Sequence, residues 1–140
     1  MITTLALEHI MVQLETDIGG GTATLHLFKT DIVLTPSLQT SDFTEADYTG
    51  YSAGTVTTVG VPWDNPDGDM VLSMTSHHFQ PSGSAVGNTI YGWWLAAPAM
   101  AGGPPVIVAV EKLDPPVNLN SALDALDLVA VIKLGQPVGG

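Results

Sequence analysis

The sequence predicts an all-β fold: an antiparallel β-sandwich, jelly-roll-like, with one or two short helices. Beyond Thr22, runs of alternating apolar and polar residues rich in Thr, Val, Ile and aromatic side chains fit half-buried strands. Clusters of Gly, Pro, Asn and Asp interrupt these runs at intervals of roughly 8–12 residues, the spacing of sandwiches and barrels. Those intervals are too short for helical crossovers, so strands pair antiparallel. The 140 residues suit one domain. They divide into an N-terminal arm over 1–21, the sandwich over 22–134 and a C-terminal tail over 135–140.

In the arm, Leu5, Leu7, Ile10, Met11 and Leu14 have the spacings of a short helix capped by Thr3 or Thr4. Leu5-Ala6-Leu7 and Ile10–Leu14 fit a strand equally. Gly19-Gly20-Gly21 ends the arm as a hinge. Thr24–Lys29 begins with strand alternation, and Asp31–Pro36 is a second extended piece. Asp42-Phe43-Thr44-Glu45 has the order of a capping box, which predicts a helical turn near 42–47 with Asp42 as N-cap. Gly54–Val61 reads as a strand rich in Thr and Val, and Asn65-Pro66 with Asp67-Gly68 as a tight reversal. Met70–Phe79 alternates, with Val71, Ser73, Thr75, His77 and Phe79 on one face and Met70, Leu72, Met74, Ser76 and His78 on the other. Thr89–Ala97 alternates too, placing Tyr91 and Trp93 together and Trp94 opposite. Val106–Leu113 is a continuous apolar strand broken by Asp114-Pro115-Pro116, and Asp127–Leu134 closes the domain.

Composition narrows the function. Hydrophobic residues make up 45% of the chain and charged residues 12%, where about 25% is usual, so Thr, Ser, Gly, Asn and Pro must build the surface. Fourteen acids face three bases, all Lys, for a net charge of −11. Nucleic-acid binding needs phosphate-neutralising bases that three scattered Lys do not supply. An anionic membrane surface repels such a chain. Without Arg there is no bidentate phosphate clamp, and without Cys no disulfide, thiolate or zinc–cysteine site. The N-terminus has no basic region before an apolar core, so no signal peptide is expected. No 18-residue apolar run spans a bilayer.

Reactive constellations are sparse. His77 and His78 are adjacent and point to opposite faces of a regular strand, so they do not chelate one ion together. His26 on a neighbouring strand offers a third imidazole, though surface or interface histidines explain the same residues; His9 has no evident partner. Asp64, Asp67 and Asp69 around Gly68 are the candidate metal ligands, but their spacing is not the calcium-loop order and turn chemistry explains the string equally. There is no Gly-x-Ser-x-Gly elbow, no phosphate loop after Gly19-Gly20-Gly21 and no HExxH, so no catalytic residue or cofactor is expected. Tyr91, Trp93 and Trp94 fit a core, an intersubunit contact or a sugar-stacking platform.

Three strings stand out: Leu25-His26-Leu27-Phe28-Lys29, Ser41-Asp42-Phe43-Thr44-Glu45-Ala46-Asp47-Tyr48-Thr49-Gly50-Tyr51, and Asn88-Thr89-Ile90-Tyr91-Gly92-Trp93-Trp94. With them the stretch from Leu25 to Trp94, about half of the chain, resembles small virion structural proteins of tailed bacteriophages and prophages, of the capsid decoration (cement) or head-fibre type. The resemblance implies a non-catalytic subunit that binds and stabilises the outer capsid lattice, with the major capsid protein and copies of itself as partners. The arm and the tail after Pro115 match less well.

The residues point the same way independently. Wide interfaces favour few charges, because an unpaired buried charge is costly. Exposed flat strands pair indiscriminately unless neighbours cover them, and a closed assembly such as a homotrimer does so. The expected assembly residues are Leu5, Leu7, Ile10, Met11 and Leu14 in the arm, with Tyr91 and Trp93 on the strand. Two other readings remain: a tail or head-fibre module binding a host-surface glycan, and a filament or surface-layer subunit. A glycan-degrading enzyme would need two carboxylates across one cleft.

Overall fold

The structure, a computed structural model, describes residues 23–35, 38–64, 70–84, 87–97 and 106–134. They form seven strands: β1 (Ala23–Phe28), β2 (Gly54–Val56), β3 (Thr58–Asp64), β4 (Met70–Phe79), β5 (Thr89–Ala97), β6 (Val106–Asn118) and β7 (Leu126–Leu134). One sheet has the order β2-β1-β5-β6 and the other β3-β4-β7, and every pairing is antiparallel. The all-β, two-sheet antiparallel sandwich expected from the sequence is thus the fold.

Alternation explains the centre of the larger sheet. Ala23, Leu25 and Leu27 of β1 turn inward, opposite Leu95 and Trp93 of β5 in register. They meet Met74 and Phe79 from β4 and Leu128, Ala130 and Ile132 from β7. Fully burying Leu25 or Leu27 stabilises the fold by about 1.5–3 kcal/mol each. A second cluster lies on the outer face of the same sheet, where Phe28, Trp94 and Ala96 are covered by Phe43.

Register shifts displace what strict alternation predicts. Between Ile90 and Gly92 the β5–β6 ladder slips. As a result Ile90 and Trp93 both join the inter-sheet core, while Tyr91 packs with the outer cluster around Trp94. Tyr91 and Trp93 therefore do not share a face. A slip between Ser73 and Ser76 in the β4–β7 ladder likewise places Met74 in the same core as Phe79. In β4 the one extra residue inverts the sidedness beyond it, whereas in the other ladder the surplus lies in β6, with Leu113–Pro116 against Tyr91 alone.

Two other expectations are corrected. The helical turn near 42–47 is instead a single 3₁₀ turn at Thr40–Asp42. Asp42 sits at its far end, where Oδ2 accepts the Gln39 N–H at 2.8 Å, rather than at the N-cap. Glu45, freed from capping, makes a β-bridge position opposite Phe28. The strand expected to stop before Asp114 runs on through Pro115 and Pro116 to Asn118. β6 is an edge strand, so a missing N–H on its open side breaks no ladder. A helix near 4–14 and the tail over 135–140 lie outside the described residues.

The two sides of the sandwich are built differently. On one side a single residue, Thr57, separates β2 from β3, so the chain steps directly from one sheet into the other. That corner is pinned to β4: Thr75 N–H donates to the Thr57 carbonyl at 2.8 Å, and Thr57 N–H donates to Thr75 Oγ1 at 3.1 Å. On the opposite side, β6 and β7 end their sheets, and among the described residues no strand joins them.

Candidate functional site

Between β6 and β7 the sandwich opens into a cleft of about 610 Å³. Its walls are Trp93 from β5, Val108 and Ala109 from β6, and Val129, Val131 and Ile132 from β7, with Glu111 as the charged member of its described lining. The register explains the placement of the β6 side chains. A slip between Leu95 and Ala96 lets both Val108 and Ala109 pack toward the core, while Ile107 and Val110 pack on the outer cluster. A second hollow of about 360 Å³ flanks the same stretch of β6, formed with Leu34, Thr35 and Leu38. β6 is thus bordered by apolar hollows while its outer ladder has no strand beside it among the described residues.

Trp93 is 4% exposed, so what reaches it must enter through the cleft. Tyr91 lies half-buried elsewhere, beside a hollow of about 370 Å³ formed with Asp31, Lys112, Leu113, Asp114 and Pro116. Lys112 Nζ closes on Asp31 Oδ1 at 2.7 Å there. The structure therefore separates the two aromatic residues expected to act together. Leu5, Leu7, Ile10, Met11 and Leu14 lie outside the described residues, as do Asp67 and Asp69; Asp64 is the last residue of β3, in register with Met70. Among the described residues no group of three or more His, Asp or Glu is arranged to hold a metal ion.

Of the described cleft lining, sequence reasoning singles out Trp93 alone; Val108, Val129 and Val131 are among those it passes over. Their signal is present in Leu128-Val129-Ala130-Val131-Ile132, an unbroken apolar run. A strand that is apolar on both faces has only one sheet to face in a two-layer sandwich, so its second face needs a further partner.

A cluster of polar side chains lies along β1. His26 Nδ1 lies 2.6 Å from Glu45 Oε1, and His26 Nε2 lies 2.8 Å from Thr24 Oγ1. Tyr51 hydroxyl donates to the same Glu45 oxygen at 2.7 Å and accepts the Leu27 N–H at 3.1 Å. The position of that N–H explains the arrangement. β2 covers the β1 edge only as far as Leu25, and Ala46 N–H resumes the ladder at the Leu27 carbonyl at 3.0 Å. The Tyr51 hydroxyl fills the gap between them. Burial and the Glu45 carboxylate hold the Tyr51 phenol well above its ordinary pKa, so it stays a donor; burial alone raises Tyr48 to about 12.

Thr24, His26 and Glu45 have the connectivity of a hydroxyl, a base and an orienting carboxylate. Both ring nitrogens are engaged, and the imidazole stacks flat on the Trp94 indole at 4.6 Å with an interplanar angle of 2°. Phe43 covers the same indole at 5.0 Å, so the cluster fastens the 43–51 segment onto β1. Nearby, Lys29 Nζ meets Asp47 Oδ1 at 2.6 Å and holds the Asp47 carboxyl below its ordinary range. On the smaller sheet, Gln80 and Asp127 hold His78 above the usual imidazole range, with Asp127 Oδ1 at 2.6 Å. His77 points the other way, as expected, and packs edge-on against Phe79.

Compared with known protein families, curated proteins and solved structures, the chain finds no match.

Proposed function

We propose that this chain is a non-catalytic virion structural subunit that decorates and stabilises the outer face of a capsid lattice. In this reading it contacts copies of itself, in a closed assembly such as a homotrimer, and the major capsid protein. The observation that supports it is the open side of the sandwich: β6 and β7, edge strands that no other strand joins among the described residues, flank a cleft lined mainly by apolar side chains. Such edges invite strand pairing and are ordinarily covered, and an apolar cleft along them is a contact surface in want of a neighbour. A surface poor in charge suits the same role, because few charges have to be desolvated when copies meet.

The glycan-binding alternative asks for an exposed aromatic platform. Trp93 and Trp94 are 4% and 3% exposed, so neither supplies one, and Trp93 is a core residue rather than the interface contact expected of it. The filament or surface-layer alternative differs in symmetry rather than in chemistry, and electron microscopy tells it apart by open polymers.

Two measurements test the proposal. Light scattering on the purified chain is expected to give a discrete oligomer, and electron cryomicroscopy of particles carrying it is expected to give density on the capsid exterior. A monodisperse monomer at all concentrations, with no density on particles, overturns it. Stoichiometric labelling of Thr24 by an organophosphonate probe would overturn the non-catalytic part.

A further inference from the structure

We propose that the cleft between β6 and β7 is an acceptor groove for an added β-strand, and that the strand is the arm segment Ile10–Leu14 of a neighbouring copy. This rests on the self-assembly part of the proposed function and names the contact through which it works.

The groove has the requirements of strand addition. Among the described residues no strand pairs with the outer side of β6 over Val106–Asn118, and none with the outer side of β7 across the cleft. The apolar walls supply pockets for alternate side chains, which is how strand addition gains specificity. A wedge that fits must be apolar on one face and indifferent on the other.

Ile10-Met11-Val12-Gln13-Leu14 has that pattern. As a strand it places Ile10, Val12 and Leu14 on one face and Met11 and Gln13 on the other. The intervening Glu15–Thr22 gives the segment reach. Eight extended residues span about 26 Å, whereas the position outside β6 is three strand spacings, about 14 Å, from β1. β1 also begins at the right end: Thr24 pairs with Ala96, which pairs with Ile107 at the start of β6.

That distance is to the chain's own β6, and a neighbour's groove has to lie within the same reach of β1; what sets the two apart is the path. A return within one subunit passes over the end where β5 leads into β6, and connections that cross at one end of a sheet are avoided. A neighbour's arm enters the open side from outside, with Gly19-Gly20-Gly21 as its tether. Every copy carries a net charge of −11, so the exchange is expected to tighten as salt screens the repulsion.

The absence of Cys makes the test direct. Val12→Cys and Val129→Cys are placed on separately tagged copies, co-expressed and oxidised with diamide; Val129 is half-exposed and tolerates the change. A disulfide joining the two tags is the expected major product. A chain carrying both cysteines that closes on itself instead overturns the proposal, and so does the absence of any cross-link. A second pair of variants reads register: Val12→Asp should weaken association by more than about tenfold, and Gln13→Asp should not. Equal effects overturn the strand. Light scattering on the unmodified chain separates the two levels. An oligomer without the cross-link removes the inserted arm and leaves self-assembly standing, while a monomer removes both.

Discussion

The two sides of this sandwich are made of similar residues and end in opposite states. On the closed side, Thr57 carries the chain from β2 into β3, Gly54 lets the His77 ring lie directly against the backbone, and the Tyr51 hydroxyl completes the ladder of β1. On the open side, β6 and β7 bring Val108, Val129 and Val131 to an edge with no strand beyond it among the described residues. The difference lies in connectivity rather than in hydrophobicity. A sandwich closes where one strand serves both sheets, and where two separate strands end the sheets, closure must come from elsewhere.

Perturbations of the closed side should cost the fold most. Phe79 packs against Tyr51 and His77 in the core, and Phe79→Ala is expected to destabilise the chain by about 3–5 kcal/mol in chemical denaturation. A Cβ on Gly54 would clash with the His77 ring. Gly54→Ala should therefore cost about 1–3 kcal/mol, partly recovered in a double variant with His77→Ala. Tyr51→Phe leaves the Leu27 N–H and Glu45 without that hydroxyl and should cost about 1–3 kcal/mol, with faster amide exchange at Leu27.

On the open side the ranking is expected to reverse between stability and assembly. Val129→Ser should change the unfolding free energy by no more than about 0.5 kcal/mol while lowering association in light scattering. If Val129→Ser unfolds the chain as Phe79→Ala does, the two sides are not distinct. The smallest effect is electrostatic. Because the folded pKa of His78 is raised, its pairing with Asp127 stabilises fully below the ordinary value of about 6.5 and is lost as pH rises through the raised value. The difference in Tm between the unmodified chain and Asp127→Asn should thus be present at pH 6 and vanish in alkaline buffer.

The same contrast shows what was legible in the sequence. Alternation in β1 is undisturbed, and Leu25 and Leu27 are core residues as their spacing says. In β4 and β5 alternation is visible in the sequence but the slips are not: one is a single extra residue within β4, and the other lies in β6, where Leu113–Pro116 stand against Tyr91 alone, so nothing local to β5 says that Tyr91 and Trp93 part. Glu45 was read as a cap, since the capping-box order is local, whereas its partners His26 and Tyr51 are set by tertiary pairing. The cleft was hidden for a further reason. Its walls come from separate stretches of the chain, and no local pattern says which strands end a sheet.

Asn88, 1% exposed, receives the Asp47 N–H on its Oδ1 and donates its own N–H to Asn120, while its carbonyl takes the Leu119 N–H. Three stretches far apart in sequence therefore meet at one residue, the one around Asp47 through its side-chain amide and the one over 119–120 through its backbone. Deuterium taken up at 47, 88 and 119 ought to arrive in step in the unmodified chain, whereas Asn88→Ala, which removes the side-chain acceptor alone, ought to quicken exchange at 47 ahead of the other two.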